Sequence, residues 1–307
     1  MSQTKPEVSM DKVQELIKAR LGKSAENIGT IEGGNFSSVF SFVIDQSEYV
    51  IRFSADEDAY VTEEYVSNLL TSNHVLFPKI VGSGKEGNLK FCISEKISGK
   101  VLAEHDVEQR TKLLPDLIHQ ITRMNQVPLK SATGFGSMRP DGSGSHESWE
   151  DFITAFYGED QTGTFWENWH ALFDTSCLER DVFNECYARL LDYSKYNAPH
   201  RYFVHGDCHE WNILADGSNI TGIIDGNFMY GDFVIDIVTI EHIVPNKDLA
   251  VDFGNYYEKI GISIPDFTNR LTGARLFKGL DGLRFFAKMG WDHAYIELRD
   301  SLLGKRG

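Results

Sequence analysis

Nowhere in its 307 residues does the chain hold an apolar run approaching the roughly 20 residues that cross a bilayer, so no membrane association is expected. Its four cysteines, Cys92, Cys177, Cys186 and Cys208, show neither Cys-x-x-Cys spacing nor a zinc pattern. That excludes a disulfide scaffold and points to reduced thiols in a cytoplasm. Met1 to Pro6 is polar with no apolar h-region, so no secretory leader is expected. Positive charge is also scarce: 30 Lys and Arg stand against 45 Asp and Glu, a formal net charge of −15. Phosphate backbones select basic surfaces, which argues against a nucleic-acid partner. The same imbalance suits a cationic small molecule, or serves only solubility. Internal repeats and low-complexity segments are absent as well. Hydrophobic residues at 41 % and charged residues at 24 % belong to a globular protein large enough for two lobes.

What is present is concentrated between residues 205 and 236. His205-Gly-Asp-Cys-His-Glu-Trp-Asn-Ile-Leu is followed by Ile223-Ile-Asp-Gly and then Gly231-Asp-Phe-Val-Ile-Asp. Asp207 follows a Val-His-Gly turn, Asn212 comes five residues later, and Asp225 thirteen after that. Transfer of a γ-phosphoryl group needs a carboxylate beside the incoming hydroxyl and metal ions on the phosphates. A loop with Asp207 and Asn212, followed by a β turn-back ending at Asp225, would supply oxygen ligands of the kind Mg²⁺ prefers. A lone His-Gly-Asp would be only a turn with a capping Asp. The full spacing matches the protein-kinase catalytic loop, with Asp207 as base and Asn212 and Asp225 as metal ligands.

Periodicity predicts a helix over 7–21, strands over 28–32, 39–44 and 48–53, and a helix over 60–72. Strands at 79–82 and 89–95 precede a linker at 96–99. Beyond it, helices are expected over 104–125 with a kink or break at Pro115, then over 149–156, 165–173, 179–195, 233–243, 247–260 and 274–302. Residues 133–148, rich in glycine, are expected to form a surface loop. The division is therefore an N-terminal nucleotide-binding lobe, 1–97, and a C-terminal catalytic and acceptor-binding lobe, 98–307. Gly33-Gly34-Asn35-Phe36-Ser37 sits between the first two strands, where backbone N–H groups can cradle phosphate, although a plain Gly-Gly turn looks the same. Arg52 ends the third strand and can reach phosphates while pairing with an acid on the next helix, Glu64 or, preferred for the helical spacing of Val66, Ser67 and Leu70 after it, Glu63.

Taken together, Glu32-Gly-Gly-Asn-Phe-Ser-Ser, Tyr49-Val-Ile-Arg, Ile97-Ser-Gly, Thr133-Gly-Phe-Gly, the Val204–Leu214 block and Gly222-Ile-Ile-Asp through Asp236 resemble the aminoglycoside phosphotransferase family. The Thr-Gly-Phe-Gly element and Trp149-Glu-Asp-Phe-Ile look most like its hygromycin B phosphotransferase branch. The resemblance implies an α+β, bilobal protein-kinase-like fold, with a small antiparallel-sheet lobe and a larger, mainly helical lobe. It implies ATP or GTP as co-substrate, Mg²⁺, and phosphorylation of an aminoglycoside hydroxyl, which inactivates the antibiotic. Gly33, Gly34, Ser37, Arg52 and Glu63 would then attend the phosphates, and the backbone of Glu95 to Ile97 the purine. Asp236 would buttress the catalytic loop and His205 brace it. The chain departs from the family pattern at Gly226 and Asn227, at Phe233 after Gly231-Asp232, and at Met124-Asn125 in place of Leu-His.

A polyamine sugar is bound by carboxylates and aromatic faces. Glu241 is the preferred candidate and Asp292 beside Trp291 another, with Glu147, Glu150, Asp151, Glu159 and Asp160 further choices. The same motifs serve kinases of macrolides or other hydroxylated metabolites, and would also suit a non-catalytic nucleotide-binding module. The expected assembly is a monomer or weak dimer.

Overall fold

Two compact units make up the computed structural model, which describes residues 5–32, 37–130, 132–158 and 161–304. The chain begins α1 (Met10–Leu21), β1 (Glu26–Ile31), β2 (Ser37–Ile44), β3 (Ser47–Ser54), α2 (Glu63–Ser72), β4 (Ile80–Glu86), β5 (Leu89–Glu95) and β6 (Lys100–Val101). It continues through α3 (Val107–Asn125), β7 (Phe135–Met138), β8 (Gly144–His146), α4 (Trp149–Phe156), α5 (Leu172–Thr175) and α6 (Arg180–Asn197). Then come β9 (Tyr202–Val204), β10 (Ile213–Ala215), β11 (Ile220–Ile223), β12 (Met229–Gly231), α7 (Val234–Ile240), α8 (Leu249–Lys259), α9 (Phe267–Met289) and α10 (Asp292–Leu302).

The first unit takes Met1–His105 with Arg139–Gly142 and Ile213–Ile224. Its antiparallel sheet runs in the order β1-β2-β3-β5-β4. β2 alternates buried and half-buried residues along its whole length, the period a one-sided sheet demands. Phe40, Phe42, Ile51, Phe53, Phe91 and Ile93 form the covered face, and α1 lays Val13, Leu16 and Ile17 on it. Ser9 caps the start of α1 by accepting from the Lys12 N–H, and Gly22 ends it at φ 69°. A smaller sheet, β11-β10-β6, also belongs to this unit. Because β10 pairs with β6, residues far along the chain join the first unit, and the 97/98 position falls inside it.

The second unit is mainly helical, with one sheet in the order β8-β7-β12-β9. An Asp106/Gln109 capping box starts α3, and Leu113, Leu114, Leu117, Ile118, Ile121 and Met124 bury one stripe of it. α6 and α9 approach closely at Gly273, where any Cβ would collide with the Asn197 side chain. The same place holds a fully buried ion pair. Arg270 donates from Nε and Nη2 to the two oxygens of Asp232, at 2.9 and 2.7 Å. Asn197 Nδ2 joins the same carboxylate at 2.8 Å, and the guanidinium lies 5.1 Å from the Phe233 ring centre. Phe233 stacks in turn on Tyr257, with ring centres 4.9 Å apart.

Four expectations need correcting. Pro115 does not break α3, because the continuous buried stripe outweighs the single lost backbone bond. Residues 133–148 contain the β7–β8 pair, its backbone turned by positive-φ Gly134, Gly136 and Gly142. In place of a helix over 165–173 there is a 3₁₀ turn, Trp169–Ala171, running into α5. There Trp166 and Trp169, with Phe156 and Tyr157, surround the buried Arg284 guanidinium at 4.2–5.0 Å. Finally, 274–302 is two helices, divided at Gly290 with φ 70°.

Removing one partner of a buried ion pair strands the other charge. Asp232→Ala is therefore expected to cost about 3–5 kcal/mol in denaturant unfolding. A loss within the range of an ordinary surface change would show that Arg270 finds other partners.

Candidate active site

The second unit assembles the catalytic block around a buried carboxylate. β9 ends at Val204 and α7 carries Asp236, whose side chain is fully buried. Asp236 accepts from the backbone N–H groups of His205 and Gly206, both at 2.9 Å, and from Asn125 Nδ2 at 2.7 Å. Asn125 Nδ2 also donates to the Phe203 carbonyl at 3.0 Å. Burial lifts the Asp236 carboxyl above the ordinary range, against the pull of His205 and these donors. The expected supporting residues, His205 and Asp236, are thus in contact. The His205 ring meets Phe228 edge-on at 5.6 Å. Gly206 has φ 78°, and a Cβ there would collide with the Asn227 carbonyl, so only glycine makes this turn.

Beyond Gly206 the loop winds tightly, with His209 N–H donating to Asp207 O at 3.0 Å and Asn212 N–H to His209 O at 2.9 Å. Asn212 Nδ2 donates to the carbonyl oxygens of Asp207 at 2.9 Å and Asp225 at 3.1 Å. That turns the amide nitrogen inward, and no described residue donates a hydrogen bond to Asn212 Oδ1. Asp225 is exposed and sits in the left-handed region at φ 61°, an uncommon conformation for a residue with a side chain. The structure therefore brings Asp207, Asn212 and Asp225 together, as their spacing implied. Among the described residues, no three His, Cys, Asp or Glu side chains cluster to hold a metal unaided.

Two neighbours of Asp207 escaped the sequence reading. His209 Nε2 lies 3.5 Å from Asp207 Oδ2. Lys278, on α9, donates to the Gly206 carbonyl at 2.8 Å. Burial alone would raise the Asp207 carboxyl, but the His209 hydrogen bond, with Lys278, His209 and His205 nearby, holds it below the ordinary carboxylate value. The hydrogen bond to Asp207 in turn raises His209, against burial. His209 was visible in the motif itself; Lys278, 72 residues away from its partner, left no local signal.

In the first unit, Arg52 Nη2 lies 3.1 Å from Glu63 Oε1, both largely buried, and its guanidinium covers the Tyr60 ring at 4.9 Å. Ser37 Oγ is 3.0 Å from the Tyr60 hydroxyl. The N–H of Glu95 is committed to the Lys79 carbonyl at 2.9 Å, and Ile97 packs where a Cβ on Gly222 would sit. Gly33 and Gly34 lie outside the described residues, as do Glu159 and Asp160.

A cavity of about 720 Å³ in the second unit is lined from α6, α7, α9, α10 and the 242–248 turn. Lys278 is part of its wall and, through Nζ on the Gly206 carbonyl, links it to the Asp207 loop. Glu241 lines it too, but both its oxygens accept from Arg275, through Nε at 2.9 Å and through Nη2. Asp292 is elsewhere: it starts α10 beside the Cys177 thiol and is not part of the cavity wall.

The profile of the phosphotransferase enzyme family matches residues 28–262. The chain belongs to that family. It is 24 % identical over 242 residues to the hygromycin-B 4-O-kinase of Escherichia coli, covering 77 % of this chain and 67 % of that protein. Among solved structures, a thermostable mutant of aminoglycoside phosphotransferase APH(4)-Ia, in complex with AMP-PNP and hygromycin B, superposes with a TM-score of 0.77. That match has 21 % identity over 95 % of this chain and 98 % of the other. A putative fructosamine-3-kinase from Haemophilus somnus shares the fold at TM-score 0.61 and 14 % identity, over 95 % and 96 % of the two chains. The likeness noted in the sequence to the hygromycin branch is thus met in the relatives, and the fold is the α+β kinase-like one. The family member is a phosphotransferase acting on hydroxyl groups. Among the described residues, no helix is long and apolar enough to cross a membrane.

His209→Ala removes the main influence opposing burial at Asp207. A carboxylate is lost as pH falls through its pKa, so this variant is expected to protonate Asp207 at a higher pH than the parent. The carboxyl-carbon NMR shift of Asp207 reads this directly, and an unchanged titration would remove His209 from the site's electrostatics.

Proposed function

We propose that the protein transfers the γ-phosphoryl group of ATP or GTP, with Mg²⁺, to a hydroxyl of a small polyhydroxylated molecule. The observation that carries this is the turn in which Asp207, Asn212 and Asp225 meet, with the Asn212 amide nitrogen tied inward. Asp207, kept ionised by its neighbours, orients the acceptor hydroxyl and takes its proton. The acceptor oxygen bonds to the γ-phosphorus as the bond to the β–γ bridging oxygen breaks, and nucleoside diphosphate leaves.

Asn212 Oδ1 and the Asp225 carboxylate would hold the cation. One amide and one carboxylate fall short of an octahedral shell, which fits an ion that shares its ligands with phosphate and water. Mg²⁺ bound there would neutralise charge on the phosphates. In the first unit, Gly33, Gly34 and Ser37 attend the phosphates in this reading, and Glu95 to Ile97 the purine. The Arg52 fork, oriented by Glu63, supplies a further phosphate contact.

For the acceptor, the E. coli relative suggests an aminoglycoside such as hygromycin B, with antibiotic resistance in the cytoplasm as the consequence. One observation favours a second reading, a different hydroxylated metabolite. Glu241, the carboxylate expected to meet a substrate amine, is already held by Arg275.

The test is phosphate transfer from ATP and GTP with Mg²⁺ to aminoglycosides, macrolides, amino alcohols and sugars. Asp207→Asn is expected to lower turnover by about 10²–10⁴-fold while nucleotide still binds. Substantial activity in that variant would overturn the role given to Asp207. Asp225→Ala should instead weaken nucleotide binding only when Mg²⁺ is present, and equal weakening without the cation would take Asp225 out of the metal site.

A further inference from the structure

The cavity beside Asp207 has the opposite charge balance to the chain around it. The protein carries 45 acidic against 30 basic residues. The cavity wall carries Arg189, Lys247, Arg275 and Lys278 against only Glu241 and Asp248. A polyamine sugar needs carboxylates that are free to accept its ammonium groups. Glu241 is not free, since its side chain is only 11 % exposed and both oxygens face the Arg275 fork. Asp248 caps α8, accepting from the Val251 N–H at 3.2 Å, and lies in the field of Arg275.

Among the cations Arg275 is the best placed for a ligand, since Arg189 donates to the Leu302 carbonyl and Lys278 to the Gly206 carbonyl, both at 2.8 Å. The Arg275 side chain is 44 % exposed, and Glu241 takes its Nε and Nη2 but not its Nη1. Arg275 is thus held in one orientation by a largely buried carboxylate, with its Nη1 outside that pair. Its charge is secured, because the Glu241 hydrogen bond raises the guanidinium further above its ordinary value. Lys247 reaches Asp252 at 3.1 Å on the same side and is itself well exposed. Lys278 links the wall to the loop that carries Asp207.

We propose that the acceptor is a hydroxylated small molecule that carries an anionic group, a carboxylate or phosphate, and is not a polycation. This rests on the phosphotransferase reading above and deepens its second acceptor reading, the hydroxylated metabolite, against the aminoglycoside. Arg275 grips the anion in this site, Lys247 adds charge at the rim, and the acceptor hydroxyl points along the wall toward Asp207. The α9 and α10 residues of the wall lie beyond Ile262, where the family match ends.

The experiment is calorimetric binding to the full chain with Mg²⁺ and ADP, using gluconate, glucuronate and glucose 6-phosphate. Glucose serves as the neutral probe and hygromycin B as the cationic one. Transfer from ATP to the same compounds is measured in parallel. Saturable millimolar or tighter binding of at least one anion is expected, with none for hygromycin B. Arg275→Gln should weaken that binding about tenfold or more while Mg²⁺-nucleotide binding persists, because a hydrogen bond to a charged partner is lost. Arg275→Lys should restore part of it.

If no anion binds, if hygromycin B is bound or phosphorylated in preference, or if Arg275→Gln binds the anion as well as the parent, the proposal is overturned. A failure of the enzymatic reading looks different. It would appear as transfer that is indifferent to Asp207→Asn, or as no Mg²⁺-nucleotide binding, and the anion calorimetry would remain readable in either case.

Discussion

Everything in the second unit that bears on chemistry hangs from the Asp236 carboxylate. A carboxyl with no solvent exposure is costly to bury, and three donated hydrogen bonds are what offset that cost. Two of the donors are consecutive backbone N–H groups, so the carboxylate fixes the peptide planes on either side of His205 rather than one flexible side chain. Gly206 then turns the chain at φ 78° and delivers Asp207 to the surface. Asp207, the proposed base, is positioned by a rigid anchor two residues upstream, with His209 and Lys278 beside it holding its carboxyl below the ordinary value.

Much of this was legible in the sequence where the signal is local. The alternation of β2, the spacing from Asp207 to Asn212 to Asp225 and the Arg52–Glu63 pair all follow from short-range period or from order along the chain. What was missed depends on partners far apart. Asn125 and Asp236 are separated by 111 residues, Lys278 and Gly206 by 72, and Glu241 and Arg275 by 34. No window of sequence reveals such pairs. Glu241 shows the consequence, since as an isolated acid it invited a cationic ligand, and only the fold places an arginine on it. The β7–β8 pair was hidden because glycines read as loop when their positive φ in fact serves strand ends.

The departures from the family pattern are compensated rather than idle. Asn125, standing where the pattern has His, still donates to Asp236. Phe233, standing where it has Pro, sits beneath the Arg270 guanidinium and stacks on Tyr257. Gly226 lacks the usual aromatic ring, but the ring of Phe228 occupies the space a side chain at 226 would need and packs against Phe203 and His205.

α10 contributes Leu298, Ser301 and Leu302 to the cavity wall, yet the anchor of the catalytic loop lies wholly on α3, β9 and α7. α10 is joined through one left-handed glycine and tied back by the buried Tyr295, whose hydroxyl accepts from the Glu179 N–H at 2.9 Å, and none of these contacts touches the peptide planes at His205. If the cavity takes the acceptor as proposed, changes along α10 would reshape its wall while leaving the anchor of the Asp207 loop in place.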